Sequence, residues 1–292
     1  MRFHVLALLL LVLQASAVDT WTRVSDFPAQ RLHALGQTVV AWDQARVAVS
    51  LDGGYSWSQA ITPAPQANFA SAPIGITTAT VTPQGPVVIL ANGQPLAFSN
   101  NGLVPAGMPP VSGIEVAGNG DTYLEGADGV IYKWPGMAVV ARGRIYRPVA
   151  SGILVQTGGA SLQFVSGTTA SPVEYSGRQL PPVFELAAPT SKGIDRWVSK
   201  DGTLWQFKDG KVVDLNRRPV AMANYFASHE GYQEYLVYQG QAQITWAVNS
   251  GMQVHRRTEG LPKQVQRVAA GDNSFIACNP EGIWVVDINR TR

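Results

Sequence analysis

Two groups of side chains in this 292-residue chain have the types and spacing to act on another molecule. Basic residues recur in short clusters: Arg142 with Arg144, Arg217 with Arg218, and Arg256 with Arg257 followed by Lys263. Clusters of this kind attract acidic protein surfaces, anionic glycans or phosphate groups. The second group is Glu230, Tyr232 and Glu234, two carboxylates around a phenol, and paired carboxylates are what glycoside hydrolysis requires. Other chemistry is thinly represented. No two of the four histidines, His4, His33, His229 and His255, stand at a metal-ligand spacing. The single cysteine, Cys278, excludes an intramolecular disulfide and any multi-cysteine metal site. Within Ser274-Phe-Ile-Ala-Cys278 it reads as a small core residue. There is no Gly-x-Ser-x-Gly elbow and no phosphate-binding glycine loop. Sequence therefore assigns no catalytic residue, no metal and no cofactor. A formal net charge of +2 with 14% charged residues also argues against a nucleic-acid binder, which carries a basic excess.

The elements that must position these residues are short strands. One hairpin recurs along the chain: an apolar strand, a glycine-type turn, a second apolar strand. The copies are 39–50, 87–99, 122–134, 153–165, 196–207, 235–247 and 275–286, with turns at Asp43–Ala45, Asn92-Gly93, Asp128-Gly129, Gly158-Gly159, Asp201-Gly202, Gly240 and Glu281-Gly282. Their mean spacing is about 40 residues, the length of a four-stranded propeller blade. The glycines supply the positive φ that tight hairpins need. A sandwich has no reason to keep one period through so many copies. The expected fold is all-β, a seven-bladed β-propeller of four-stranded antiparallel blades occupying residues 18–292.

Ser50-Leu-Asp52-Gly-Gly54-Tyr-Ser56-Trp57 fits Ser-x-Asp-x-Gly-x-Ser/Thr-Trp. This resembles the Asp-box, or bacterial neuraminidase repeat, of sialidase-like and sortilin-like propellers. The resemblance implies that Ser50, Asp52, Gly54, Ser56 and Trp57 form a structural turn between third and fourth strands. In it the Asp and Ser side chains would bond local backbone and the Trp would pack between blades. Ser99-Asn-Asn101-Gly102 is a degenerate second copy; Lys208-Asp209-Gly210 and Asn249-Ser250-Gly251 are fainter ones. The seventh hairpin ends near Asp287 without a fourth strand, whereas Thr20-Trp21 matches Ser56-Trp57. The N-terminal segment is thus expected to complete the last blade and close the ring without an open edge.

Residues 1–17 read as a signal peptide: Met1-Arg2, an apolar Val5–Leu13, and Ala15-Ser16-Ala17 before the cut. The apolar run is shorter than the roughly 20 residues a membrane helix needs. No later segment is apolar enough to span, so the chain is expected in a periplasm or outside the cell, as a monomer. Asn289-Arg-Thr291 is a glycosylation acceptor in a eukaryotic secretory pathway only.

Propeller topology places the second-to-third-strand turns and the blade-to-blade connections on one face, with the Asp-box turns opposite. Arg142, Arg144, Arg217, Arg218, Arg256, Arg257 and Lys263 all fall in connections and so belong to that first face. The long connection Ser58–Ala72, with Pro63 and Pro65, is a second binding candidate. Of the tryptophans, Trp57, Trp134, Trp197, Trp205, Trp246 and Trp284 are expected to pack between blades. Trp42, close to a turn, could be exposed as a platform for a sugar, but core packing is the preferred reading. A sialidase reading lacks the Arg-Ile-Pro signature of that family, and Glu230, Tyr232 and Glu234 fall between first and second strands, on the wrong face. Among non-enzymatic relatives the chain looks most like the photosystem II assembly-factor type of propeller. The resemblance implies a non-catalytic scaffold that holds a protein partner, an acidic one if the arginines do the holding. The alternative is a sialidase-like glycoside hydrolase or a glycan-binding lectin.

Overall fold

A computed structural model describes residues 19–63, 75–99, 102–180, 183–185, 195–199, 203–214, 225–229, 234–238, 246–247, 253–254 and 258–287. Its strands show why the hairpins read as they do. Val47–Ser50, Gly85–Leu90 and Ser274–Asn279 are buried along almost their whole length on both faces, which demands near-continuous Val, Ile, Leu and Ala. Last strands of blades, such as Ala138–Arg142 and Thr169–Val173, are largely exposed.

The first blade contains Arg31–Leu35, Thr38–Trp42 and Val47–Ser50, with Ile61 bridged to Val47 at its outer edge. The second is Ile76–Thr82, Gly85–Leu90, Pro95–Ser99 and Gly102–Pro105. The third is Gly113–Val116, Thr122–Glu125, Val130–Trp134 and Ala138–Arg142. The fourth is Arg144–Val149, Gly152–Gly158, Ser161–Ser166 and Thr169–Val173. The fifth is Val183–Glu185, Asp195–Ser199, Leu204–Lys208 and Lys211–Asp214. Two hairpins, Tyr225–His229 with Glu234–Tyr238 and Trp246–Ala247 with Gln253–Val254, occupy the interval of a sixth. The last comprises Arg267–Ala270, Ser274–Asn279 and Gly282–Asp287, joined at its outer edge by Thr22–Ser25. First strands of consecutive blades lie side by side: Tyr225–His229 on Arg267–Ala270, that strand on Arg31–Leu35, and onward through Ile76–Thr82 and Gly113–Val116 to Arg144–Val149. Apolar clusters fill the seams between faces. This is the all-β propeller expected from the period.

Closure runs through the N-terminal segment. Thr22 pairs with Val285, Arg23 with Trp284 and Ser25 with Ile283, antiparallel. Just before, Asp19 and Thr20 pair in parallel with Thr258 and Glu259. The segment therefore stitches two regions of the C-terminal part of the chain, and between its two pairings Trp21 is buried against Val265, Phe275 and Trp284. Cys278 is a fully buried core residue between the seventh and first blades. No helix among the described residues is long and apolar enough to cross a membrane.

Trp42 is only 6% exposed and packs with Val40, Val49 and Ile76 between the first two blades, the core role preferred for it, so it offers no sugar platform. Two expectations need correction. Ser58 and Ile61, expected in a binding loop, instead form the first blade's outer edge: the Ser58 amide donates to Val49 O, and Val47 and Ile61 exchange backbone hydrogen bonds, while residues 64–72 of that connection lie outside the described residues. The polar Ser58-Gln-Ala sequence hides that role, because an outer strand needs backbone partners more than an apolar face. Lys208–Lys211 closes as a two-residue hairpin with Asp209 and Gly210 both at positive φ, without the longer turn of residues 51–56, while Ser99 pairs with Gly102 and residues 100–101 between them lie outside the described residues. Asn249-Ser250-Gly251 lies outside the described residues.

Candidate functional site

The turn face is defined by backbone hydrogen bonds that tie the entries of the second, third and fourth blades to the preceding blade's second-to-third-strand turn. The Ile76 amide donates to Gln44 O, Val111 to Gly93 O, and Gly143 to Gly129 O. This last bond places Arg142 and Arg144 beside the Asp128-Gly129 turn. Arg142 ends the third blade's outer strand, Arg144 begins the fourth blade's inner strand, and one residue, Gly143, joins them. Gly143 must be glycine: its φ is +141° and an added Cβ would stand 2.1 Å from Gln156 O. The tight link holds both arginines at the surface. Arg144 is 84% exposed, with Glu125 Oε1 at 3.9 Å as its loose counter-charge. The other Glu125 oxygen accepts the Ile145 amide at 2.8 Å.

Lys263 is exposed in the approach to the last blade, and its carbonyl accepts a hydrogen bond from Asn279 Nδ2 beside the Glu281-Gly282 turn. It stands at that blade's turn as Arg142 and Arg144 stand at theirs. Arg217, Arg218, Arg256 and Arg257 lie outside the described residues, as do Glu230 and Tyr232. Glu234 opens the second strand of its hairpin and pairs with His229, the last residue of the first strand.

A cleft of ≈ 380 Å³ opens between the second and third blades, lined by Thr77, Leu90, Gly93, Val111, Ser112 and Ala127 among others. Ala127 belongs to the turn whose Gly129 carbonyl holds the Arg142–Arg144 link, so cleft and arginines flank one hairpin. The cleft walls are braced. Val111 is bonded to Gly93, the Ser112 amide to Glu125 O, and Ser112 Oγ donates to Glu125 O and Gly126 O. No grouping of His, Cys, Asp and Glu suited to a metal ion occurs among the described residues.

On the opposite face the 50–57 turn is a closed hydrogen-bonded unit. Ser50 Oγ donates to Asp52 Oδ1 and accepts the Gly54 amide. Asp52 accepts the Ser56 amide and hydroxyl, and Trp57 Nε1 donates to Gly54 O. Burial would raise the Asp52 carboxyl, but the bonds from Ser56 and Ser50 outweigh it and hold its pKa below the ordinary value. Ser274 of the last blade donates to Gly53 O, and Trp57 packs into the apolar seam between the last and first blades. Tyr55 is pushed up to about 12 by burial and by the Asp287 carboxylate nearby.

Sequence reasoning missed the polar groups set between blades. His33, on the first blade's inner strand, accepts the Val81 amide at Nδ1, and burial lowers its pKa to about 4. Glu115 is pushed up to about 7 by burial and by Glu125, against the opposing charge of Arg147. Arg147 is 2% exposed and lies over the Trp197 ring at 4.5 Å. Only register, not residue type, could have found these. They sit on inner strands, at positions that sequence patterning assigns to core.

No protein-family model and no curated protein sequence matches the chain. Solved structures do. Virginiamycin B lyase from Staphylococcus aureus aligns at 10% identity and TM-score 0.55, over 91% of this chain and 97% of that one. YCF48 bound to D1 peptide aligns at 11% identity and TM-score 0.56, over 94% and 99%. PorZ, a surface component of the type-IX secretion system of Porphyromonas gingivalis, aligns at 10% and TM-score 0.56, over 93% of this chain and 38% of its own. At these identities the likeness establishes a shared fold, and a lyase and a peptide-binding protein both use it.

Proposed function

We propose that this protein is an exported, non-catalytic propeller that holds a protein partner on its turn face, with the partner contributing acidic groups. The observation that carries the reading is the pair Arg142 and Arg144, held at the surface by a one-residue connection next to a preformed cleft. Arg217, Arg218, Arg256, Arg257 and Lys263 are assigned to the same face by the repeat register. Peptide binding by YCF48, a propeller of matching extent, supports the class of partner. Residues 1–17 support export, and the 50–57 turn supports descent from the Asp-box propellers.

The test is affinity capture from the native envelope or culture fluid with residues 18–292 as bait, washed at low and high salt. One protein released by salt, and lost when Arg142, Arg144, Arg217, Arg218, Arg256 and Arg257 are changed to Glu, is the expected result. Undiminished capture by the charge-reversed bait would show the face to be wrong. Recovery of glycan alone would replace the protein partner with a lectin's ligand.

A further inference from the structure

The turn face offers more than charge. The ≈ 380 Å³ cleft between the second and third blades falls at the small end of the range for ligand pockets. Its lining combines Ile89, Leu90, Pro110 and Val111 with the polar groups of Thr77, Asn92 and Ser112, and it includes no aromatic ring. A sugar would find no stacking surface there, whereas an aliphatic side chain would find apolar walls. A smaller recess shares Thr77 with it and continues over the first blade past Arg31 and Trp42. The two recesses meet at Thr77, with Arg31 in the lining of the smaller and Arg142 and Arg144 beside the Asp128-Gly129 turn that flanks the larger; together they are called the groove.

The acidic groups along this groove each have a partner of their own. Asp43 is bound to Arg46 at 2.7 Å. Glu125 is engaged by the Ile145 amide and Asp128 Oδ1 by the Val130 amide. Arg31 and Arg142 are exposed and form no ion pair among the described residues. A ligand lying along the groove meets apolar walls in the middle and unspent guanidinium groups at the ends. The walls are fixed by backbone hydrogen bonds, so little ordering is needed on binding.

We infer that the groove over the second and third blades is the docking site for an extended acidic segment of the partner. An aliphatic side chain of that segment seats in the cleft, and carboxylates on either side of it meet Arg142 and Arg31. The inference rests on the partner-holding reading and adds the site and the chemistry of what it takes.

The test uses residues 18–292 and fluorescein-labelled peptides with one leucine between paired aspartates. The controls replace leucine by glycine or the aspartates by lysines, and fluorescence polarisation reads binding. The leucine–aspartate peptide should bind about tenfold or more tightly than either control and weaken as salt rises. Ala127→Trp, which fills the cleft from an exposed turn, should reduce its affinity by about tenfold or more, and Arg142→Glu should do so too. Should Ala127→Trp misfold, Thr77→Trp fills the cleft from the opposite wall. Equal binding of the lysine peptide, or undiminished binding by the filled-cleft variant, would overturn the inference, as would binding of a neutral oligosaccharide that these variants abolish. Envelope capture that charge reversal abolishes but Ala127→Trp leaves intact would sink this site alone and leave the broader reading standing.

Discussion

Inside the last blade the third strand and the fourth come from opposite ends of the chain, and contacts of several kinds converge there and on the seam with the first blade. Thr22–Ser25 pairs with Gly282–Asp287, Ser274 reaches across to Gly53, and Trp57 packs beside Ile276, Cys278 and Ile283. Where the second blade meets the third, the chain runs on through Ala106–Ser112. There the cluster of Val87, Ile89, Val111, Ile114 and Leu124 fills the interior, and a cleft is left at the turn face. The seam beside the splice of the two chain ends is crossed by an interblade hydrogen bond as well as by apolar packing, whereas the seam between the second and third blades leaves space at its turn end.

The largest test of that contrast is removal of residues 18–25. Loss of the closing strand should cost on the order of 5 kcal/mol, comparable with the whole stability of a domain, and abolish the cooperative transition in calorimetry. Fraying confined to the last blade would show that the ring does not depend on its splice. Next comes a matched pair of glycines. An alanine Cβ at Gly282 would stand 2.1 Å from Ser25 O, while at Gly93, φ +83°, it would stand 3.0 Å from Val111 O. Urea unfolding should give about 3 kcal/mol of destabilisation for Gly282→Ala and about 1–2 kcal/mol for Gly93→Ala. The reverse order would invert the comparison.

The seam between the first and second blades should respond to pH. Burial lowers the His33 pKa from 6.5 to about 4, so the folded state binds fewer protons than the unfolded chain between these values. Stability from this group is present above pH 6.5 and is lost as pH falls through about 4, by roughly 3 kcal/mol. Glu115 works the other way. Its pKa is raised from 4.5 to about 7, so its share is present below 4.5 and lost as pH rises through about 7. Denaturation midpoints between pH 4 and 8 should flatten on the acid side in His33→Gln and on the alkaline side in Glu115→Gln.

Asp52→Ala, which removes the acceptor for Ser50 and Ser56 at the closing seam, should cost about 1–2 kcal/mol by the same urea assay. The smallest effect belongs to Arg144→Glu. Its counter-charge Glu125 stands 3.9 Å away and its side chain is mostly solvated, so stability should stay within about 0.5 kcal/mol of the parent while binding on the turn face falls.

Much of this architecture was legible beforehand. The hairpins from Val39 to Val165, with those at Asp195–Lys208 and Ser274–Asp287, pair as the apolar runs and Gly-containing turns indicate. They are local, so short-range pattern carries them. The outer edge at Ser58–Ile61 was not legible, because it carries no apolar alternation. Nor was the burial of Arg147 beneath Trp197, a contact between residues of different blades whose types say nothing of each other. On the functional side, Arg142 and Arg144 could be placed in a connection from sequence. That they flank the same hairpin as a cleft could not.

Sequence alone determined the strand period, the turn positions and the segment that closes the ring, because each depends on residues near one another or on a repeat that counts itself. Tertiary structure decided which seams are filled and which stay open, which polar groups are desolvated between blades, and which arginines face an apolar groove. Those properties arise where faces of separate blades meet, and how two faces meet is set by the curvature of the whole ring rather than by any stretch of chain within it.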